Sequence, residues 1–523
     1  MKAILKTGVV ALASIVALTG CIKETFPTSV ATNEQVNANP AALESMVQGM
    51  AAFVNKYDVL NSERHHDFGY PAIGLVRDLM CDNMSACTEY NSWWSSWMQN
   101  QYQSEDYIYS QFIWNYYTQF LFTANAIIAA VDENSANDLQ KAYLGMAYCY
   151  RSLANLDMGR MYEFKPNNYT SKDDVVGLTI PIIGATMTEE EARNNPRVSK
   201  EVLVAYIEED LDHALELFGT GFKRANKNQP DQSVAYGLKA RLYMWAENYA
   251  KAKEAAQNAI TAGGYTRTTE AQWIDPTTGF NTPTNAWMWC STTVKEDDVV
   301  QTGIINFTSW MASETSFSYV GAGSYRLAAS GFYEKISNTD FRKKSWKAPE
   351  GVNLSIPYIA AAGDYAGSEY LPDLAAVKFR PGSGEPNDYQ VACVVSYPMM
   401  RMEEMEFIIA ECDARNGSSA SLVDIMLTRD PNYTCNKTGD DLIEEVFFQK
   451  TVELWGEGQI LFDYKRLNHS IIRNYPGTNY FPEAAFNTTG LAPWMNFCIV
   501  RTEKNANSAL VGYENPDPSG LHD

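Results

Sequence analysis

Past Leu18 the 523-residue chain has no run of eighteen apolar residues, so no segment there is long enough to cross the roughly 30 Å hydrocarbon core of a bilayer as a helix. Basic runs are missing as well. Lys and Arg number 41 against 63 Asp and Glu, a formal net charge of -22, and without clustered cations neither nucleic acid nor an anionic lipid surface is expected to be a partner. Histidine is scarce: the five residues His65, His66, His213, His469 and His522 form no His-Glu-x-x-His and no metal-ligand spacing. Gly-x-Ser-x-Gly and phosphate-loop signatures are absent too, so no cofactor, no metal and no catalytic residue is expected. Paired carboxylates for glycoside hydrolysis stay open, because with 63 acidic residues only a measured separation discriminates. The nine cysteines fit neither a zinc site nor a Cys-x-x-Cys pair and are too sparse for a disulfide scaffold. Cys149 and Cys412 lie in helical apolar patterns and are expected as buried thiols, while pairing of Cys81 with Cys87 stays open.

The N-terminus is the most informative segment present. Lys2 and Lys6 precede a short apolar stretch, Gly8 to Leu18, which ends in Thr19-Gly20-Cys21, the form of a secretory signal over residues 1–20 with a lipid-attachment cysteine. Acyl chains on Cys21, at about 0.8 kcal/mol per buried methylene, hold a domain on a membrane without a spanning helix. Residues 21–40 are polar and read as a tether, so the protein is expected to be extracytoplasmic and lipid-anchored.

From 41 to 263 the apolar period is helical. Leu139, Ala142, Met146, Cys149, Leu153 and Leu156 share one helix face. A second helix starts at the N-cap Ser199, turns Leu203, Ile207, Leu211, Ala214 and Phe218 inward, and stops at Gly219. Ser233 to Gly263 follows the order of a tetratricopeptide unit, with Ala240, Tyr243, Asn248, Tyr249, Ala252, Ala256, Ala259 and Ile260. One such unit cannot bury its face alone, so the neighbouring amphipathic segments and a late pair, Met402 to Arg415 and Asp440 to Trp455, are predicted to stack on it. The expected fold is mainly α, a solenoid of tetratricopeptide-like helix pairs with a loop-rich lobe of short strands at 264–396. Helices within 397–470 rejoin the scaffold, and 471–523 is irregular.

Within this frame Trp93, Trp94 and Trp97 stand out, flanked by serines and preceded by Asp82 and Asn83. Indole faces stack on the C–H faces of pyranose rings while Asp and Asn bond hydroxyls, the chemistry of sugar capture. The same spacing puts Trp93 and Trp97 on one helix face as a core clamp, but three such rings in five residues are hard to bury together, so at least one is expected in the open. In the lobe Trp310, Tyr319, Tyr325 and Arg326 lie among Ser, Thr and Gly, with Gly321 and Gly323 allowing close approach of a ligand, and join the candidate ligand contacts. Trp287 and Trp289 alternate as in a strand and are expected in the core.

The order of several short motifs resembles that of the SusD/RagB family of outer-membrane nutrient-binding lipoproteins. These are Tyr148-Cys149-Tyr150-Arg151, Gly177-Leu178-Thr179-Ile180-Pro181, Arg197-Val198-Ser199 with Tyr206-Ile207-Glu208 and Asp210-Leu211, Arg401-Met402-Glu403-Glu404 with Ala410-Glu411-Cys412, and Glu453-Leu454, Glu457-Gly458 and Asp463-Tyr464-Lys465-Arg466. Asp340-Phe341-Arg342 resembles the family's Asp-x-Arg element and reads as a local ion pair. Gln449-Lys450 stands where the family has Glu-Arg, and Ile460 where it has Arg, which puts a family ion pair in doubt. The resemblance implies a non-enzymatic protein on the outer face of the outer membrane that binds oligosaccharide or polysaccharide and delivers it to a SusC-like TonB-dependent transporter, closing over the barrel as a lid. Ligand contacts in the early region and in the lobe are implied as well. Peptide capture, as in the RagB branch, and a surface glycoside hydrolase are the alternatives.

Overall fold

The computed structural model describes residues 40–87, 93–359 and 370–523; the signal sequence, Cys21 and the tether up to residue 39 lie outside the described residues. Helices begin where the sequence supplies caps. The Asn137 side chain accepts from the Gln140 amide at 3.0 Å while Gln140 Oε1 accepts from the Asn137 amide at 3.0 Å, so two orphan donors of the longest helix are satisfied reciprocally. Ser199 and Asn248 cap without the return bond, accepting from the Val202 and Lys251 amides, and Gly219, at φ 57, ends the helix that Ser199 starts.

The principal helices are α1 (Pro40–Phe53), α2 (Tyr70–Leu79), α3 (Ile108–Ala130), α4 (Asp138–Tyr162), α5 (Lys200–Phe218), α6 (Gln232–Trp245), α7 (Tyr249–Gly263), α8 (Met402–Arg415), α9 (Ala420–Leu427), α10 (Gly439–Leu454) and α11 (Leu461–Leu467). Each of α3 to α8 packs on the next in chain order, and α10 closes the row against α8. Small residues permit this close spacing. Ala240 on α6 and Ala252, Ala256 and Ala259 on α7 are wholly buried, as the repeat pattern predicts, and a Cβ on Gly159 of α4 would meet Leu203 and Trp245 at 2.7 Å. The predicted inward faces of α4 and α5 are buried except at Leu139, which lies in the first turn of α4 and is 47% exposed.

The lobe is built on two two-stranded antiparallel pairs. β1 (Met84–Ala86) pairs with β3 (Arg326–Ala328), and β2 (Trp287–Thr292) pairs with β4 (Ser396–Arg401), the latter with irregular register around Trp289. Trp287 and Trp289 are buried, as their alternation predicts. One apolar core runs from the helices into the lobe, with a small satellite under α8, α9 and α10. No disulfide joins any two of the eight described cysteines, so Cys81 and Cys87 are not linked, and Cys149 and Cys412 are buried.

Buried charges fasten lobe to helices. Glu453 of α10 is within 3.2 Å of Arg342 and Arg401 and 3.1 Å of Arg429, while Glu457 takes Arg401 at 2.8 Å and Lys378 at 2.7 Å. Burial works to raise the Glu453 carboxyl, but Arg429, Arg401 and Arg342 outweigh it and hold it well below the usual carboxylate range. Arg342 also pairs with Asp340 at 2.7 Å, the local pair expected from the sequence. The two departures from the family pattern are accommodated: Lys450 pairs with Asp463 at 2.7 Å and Gln449 Oε1 accepts from Arg342, while Ile460 is buried in the apolar core. Just beyond this cluster Gly458, at φ 69, sits so close to Gly74 of α2 that no side chain fits between the two backbones, and its amide donates to Asp78 Oδ2 at 3.0 Å.

Candidate functional site

The β1–β3 pairing, with Met84 opposite Ala328 and Ala86 opposite Arg326, is extended by a bond from the Cys87 amide to the Tyr325 carbonyl at 3.2 Å. It brings together the two stretches that carry the candidate aromatics. Trp93 to Trp97 resume just after residues 88–92, which include Asn91 and Ser92 and lie outside the described residues. Trp310 and Tyr319 come from two four-residue helical turns, Thr308–Met311 and Ser318–Gly321, just upstream of β3.

These rings form one column. Trp310 and Tyr319 stack with centroids 3.7 Å apart and planes 13° off parallel. The Tyr319 hydroxyl is hydrogen-bonded to His65 Nδ1, and the two rings meet edge to face at 5.6 Å. His65 in turn stacks on Trp93 at 4.4 Å, and the Arg64 guanidinium lies 5.9 Å from the Trp93 ring. At the other end Arg326 lies 5.1 Å from the Trp310 ring. Trp93, His65, Arg64, Tyr319 and Tyr325 are half-buried, so the outer part of the column is open to solvent.

The other predicted contacts have different positions, and their roles are corrected accordingly. Trp94 and Trp310 are 0% exposed and Trp97 is 2% exposed; Trp94 meets Trp310 edge to face at 5.4 Å, and Trp97 packs on His66 and Tyr109. They back the column as core, because a ring with no free face has none to offer a sugar. Arg326 is fully buried, and burial lowers its guanidinium to about 9. Asn83 is buried as well; its carbonyl accepts from Trp455 Nε1 at 3.0 Å and from the Ala329 amide at 3.1 Å, a structural task. Asp82 faces a different cleft of about 810 Å3, lined also by Phe332, Phe448, His469 and Tyr475, where it accepts from the Tyr464 hydroxyl and from the Ile472 amide at 2.8 Å. Gly321 serves its own turn: a Cβ there would meet the Ser316 carbonyl carbon at 2.6 Å.

Sequence reasoning missed Arg64 and His65. It weighed the histidines only as catalysts and ligands of metal, whereas the pattern Glu63-Arg64-His65-His66, polar and aromatic in a short connection before α2, marks a loop that can present rings. The neighbouring His66 is a core residue, and burial, reinforced by Arg64 and His65, drops it to about 3, so it is neutral. Among the described residues no group of three or more His, Cys, Asp or Glu is placed to hold a metal ion, and no helix is long and apolar enough to cross a membrane.

Residues 34–244 match the sequence model of the SusD-like family described as starch-binding and associating with the outer membrane. No curated protein sequence matches the chain. Among solved structures, a SusD-like carbohydrate-binding protein of Bacteroides vulgatus superposes with a TM-score of 0.69 at 20% identity, covering 92% of this chain and 98% of its own. A SusD superfamily protein of Bacteroides thetaiotaomicron gives 0.68 at 15% identity, covering 93% and 100%. Surface glycan-binding protein A of Bacteroides fluxus gives 0.62 at 15% identity, covering 90% and 97%. At these identities the likeness establishes the fold. Residues 34–244 of this mainly helical chain thus match the SusD-like family model, and the chain as a whole shares the fold of these SusD-like structures.

Proposed function

We propose that the protein is a cell-surface lipoprotein, anchored through Cys21, that captures oligosaccharide or polysaccharide without cleaving it and passes it to a SusC-like TonB-dependent transporter in the outer membrane. The observation that carries this reading is the aromatic column, whose outer members, Trp93 and Tyr319 with the adjacent Tyr325, leave ring surface in the open beside Arg64 and His65. Ring faces take the apolar C–H face of a pyranose, and the guanidinium, imidazole and phenol at their edges supply hydroxyl partners. A platform of a few rings gives modest affinity, which suits a protein that must release its cargo. The names of the structural neighbours and the description of the family model, which speak of carbohydrate, glycan and starch, support the same ligand class.

Isothermal titration against a panel of soluble polysaccharides and peptides tests the ligand class, and chromatography of the same mixtures after prolonged incubation tests for cleavage. Saturable binding of a glycan that is recovered intact is expected. Binding of peptides alone, or the appearance of shortened glycan, would overturn the reading.

A further inference from the structure

The arginines of this chain are nearly all neutralised. Among the described residues, every arginine but Arg64, Arg197, Arg326 and Arg473 has a carboxylate within 4.0 Å, in keeping with an excess of 63 acidic over 41 basic residues. Two of these four are satisfied otherwise. Arg197 donates to the carbonyls of Thr179, Tyr513, Tyr162 and Leu178 and to Asn515, and Arg473 to the carbonyls of Cys81, Met98 and Leu79. Arg64 and Arg326 are not. Arg326, fully buried, makes one long bond to the Tyr325 carbonyl at 3.4 Å and leaves Nε and Nη2 without a partner; Arg64 has neither an ion pair nor a hydrogen bond to a described residue, and its Nε is buried and unpartnered.

These two cations sit at opposite ends of the same aromatic column, Arg64 by Trp93 and Arg326 by Trp310. The indole N–H groups of Trp94 and Trp310 are also buried without acceptors, so the unmet hydrogen-bonding capacity around the column's inner end is mainly donors. In a molecule of net charge -22, leaving along one column two guanidiniums that no described carboxylate compensates costs stability unless an anion arrives there.

We infer that the glycan taken by this site is acidic, carrying a uronate carboxylate or a sulfate ester. The half-exposed Arg64 makes the direct charge-assisted contact, while Arg326 biases the site from below without touching the ligand. This rests on the glycan reading above and narrows it. A carboxylate and a sulfate share the chemistry that a free guanidinium recognises, several acceptor oxygens with a full negative charge.

The test titrates the detergent-solubilised full chain with polygalacturonate and its carboxyl-reduced counterpart, with chondroitin sulfate and its desulfated counterpart, and with neutral starch and xylan. At least one acidic polymer is expected to bind about tenfold or more tightly than its neutralised counterpart, with the pair that discriminates identifying carboxylate or sulfate. Arg64→Gln is expected to erase that preference at unchanged Tm, and Arg64→Lys to restore part of it. Equal affinity for both members of each pair, or binding of neutral glycans only, overturns this inference and leaves glycan capture standing. Binding of no glycan overturns both. Should Arg64→Gln lower the Tm by many degrees, the preference of the unaltered protein for charged over neutralised polymer decides the matter alone.

Discussion

At the scale of single residues, adjacent tryptophans have opposite tasks. Trp93 is half-buried with part of its ring in solvent, whereas its neighbour Trp94 is wholly enclosed by Trp97, Phe68 and Trp310. Trp93→Ala is expected to abolish glycan binding in titration while shifting the Tm only slightly, and Trp94→Ala to cost about 3–5 kcal/mol in urea unfolding through the cavity it leaves. Loss of stability with binding intact in Trp93→Ala would show that its ring is scaffold. A second residue couples stability to pH. Burial raises the Asp78 carboxyl to about 7, against the opposing bond from the Gly458 amide. The folded carboxyl therefore keeps its proton to near neutrality, whereas in the unfolded chain it loses it near pH ~4, so this group penalises the folded state progressively as pH rises across that interval. Asp78→Asn is expected to stabilise more at pH 8 than at pH 5, by roughly 2–3 kcal/mol in denaturant melts. A difference of the opposite sign would mean that the ionised carboxylate is favoured in the fold. The sequence singled out both stretches of the proposed site but could not separate Trp93 from Trp94, which lead into the turn Ser95–Met98, because their side-chain directions are set by what packs on them, here Trp310 from far along the chain.

At the scale of elements, helices were legible and strand pairs were not. The caps Ser199 and Asn248, the stop at Gly219 and the alanines of α6 and α7 are local signals, and the structure follows them to within a residue or two. The three-residue strands β1 and β3 have no such signal, since their pairing is a contact between residues far apart in the chain, and that contact brings the two aromatic stretches of the candidate site together. Leu139 belongs to the apolar stripe of α4 by period, yet it falls in the first turn, where no neighbouring helix covers it. The passage from α10 to α11 depends on Gly458 in the left-handed region, backed by Gly74 of α2. Gly458→Ala is expected to cost more than about 2 kcal/mol, read as a drop in Tm by calorimetry, because backbone strain and a backbone clash add. An unchanged Tm would show that α2 can shift to make room.

At the scale of the whole molecule, an acidic body is expected to depend on one thiol for its place in the cell. Cys21→Ser is expected to move the protein from the membrane to the soluble fraction and to end incorporation of labelled palmitate, with glycan binding in solution unaltered. Persistence on the membrane would point to another attachment. Fold class was readable at this scale from periodicity and motif order. The orientation of lobe on scaffold was not, because it is set by pairings such as Arg342 and Lys378 with Glu453 and Glu457, which join distant segments.

That shared carboxylate hub has a mechanical corollary. Three guanidiniums converge on Glu453 in a dry interior, and freeing any one of them would strand charge at a cost of several kcal/mol, far above thermal agitation. The two halves of the body are therefore joined stiffly at this seam, and under the hand-over of cargo proposed above any pivot falls outside it.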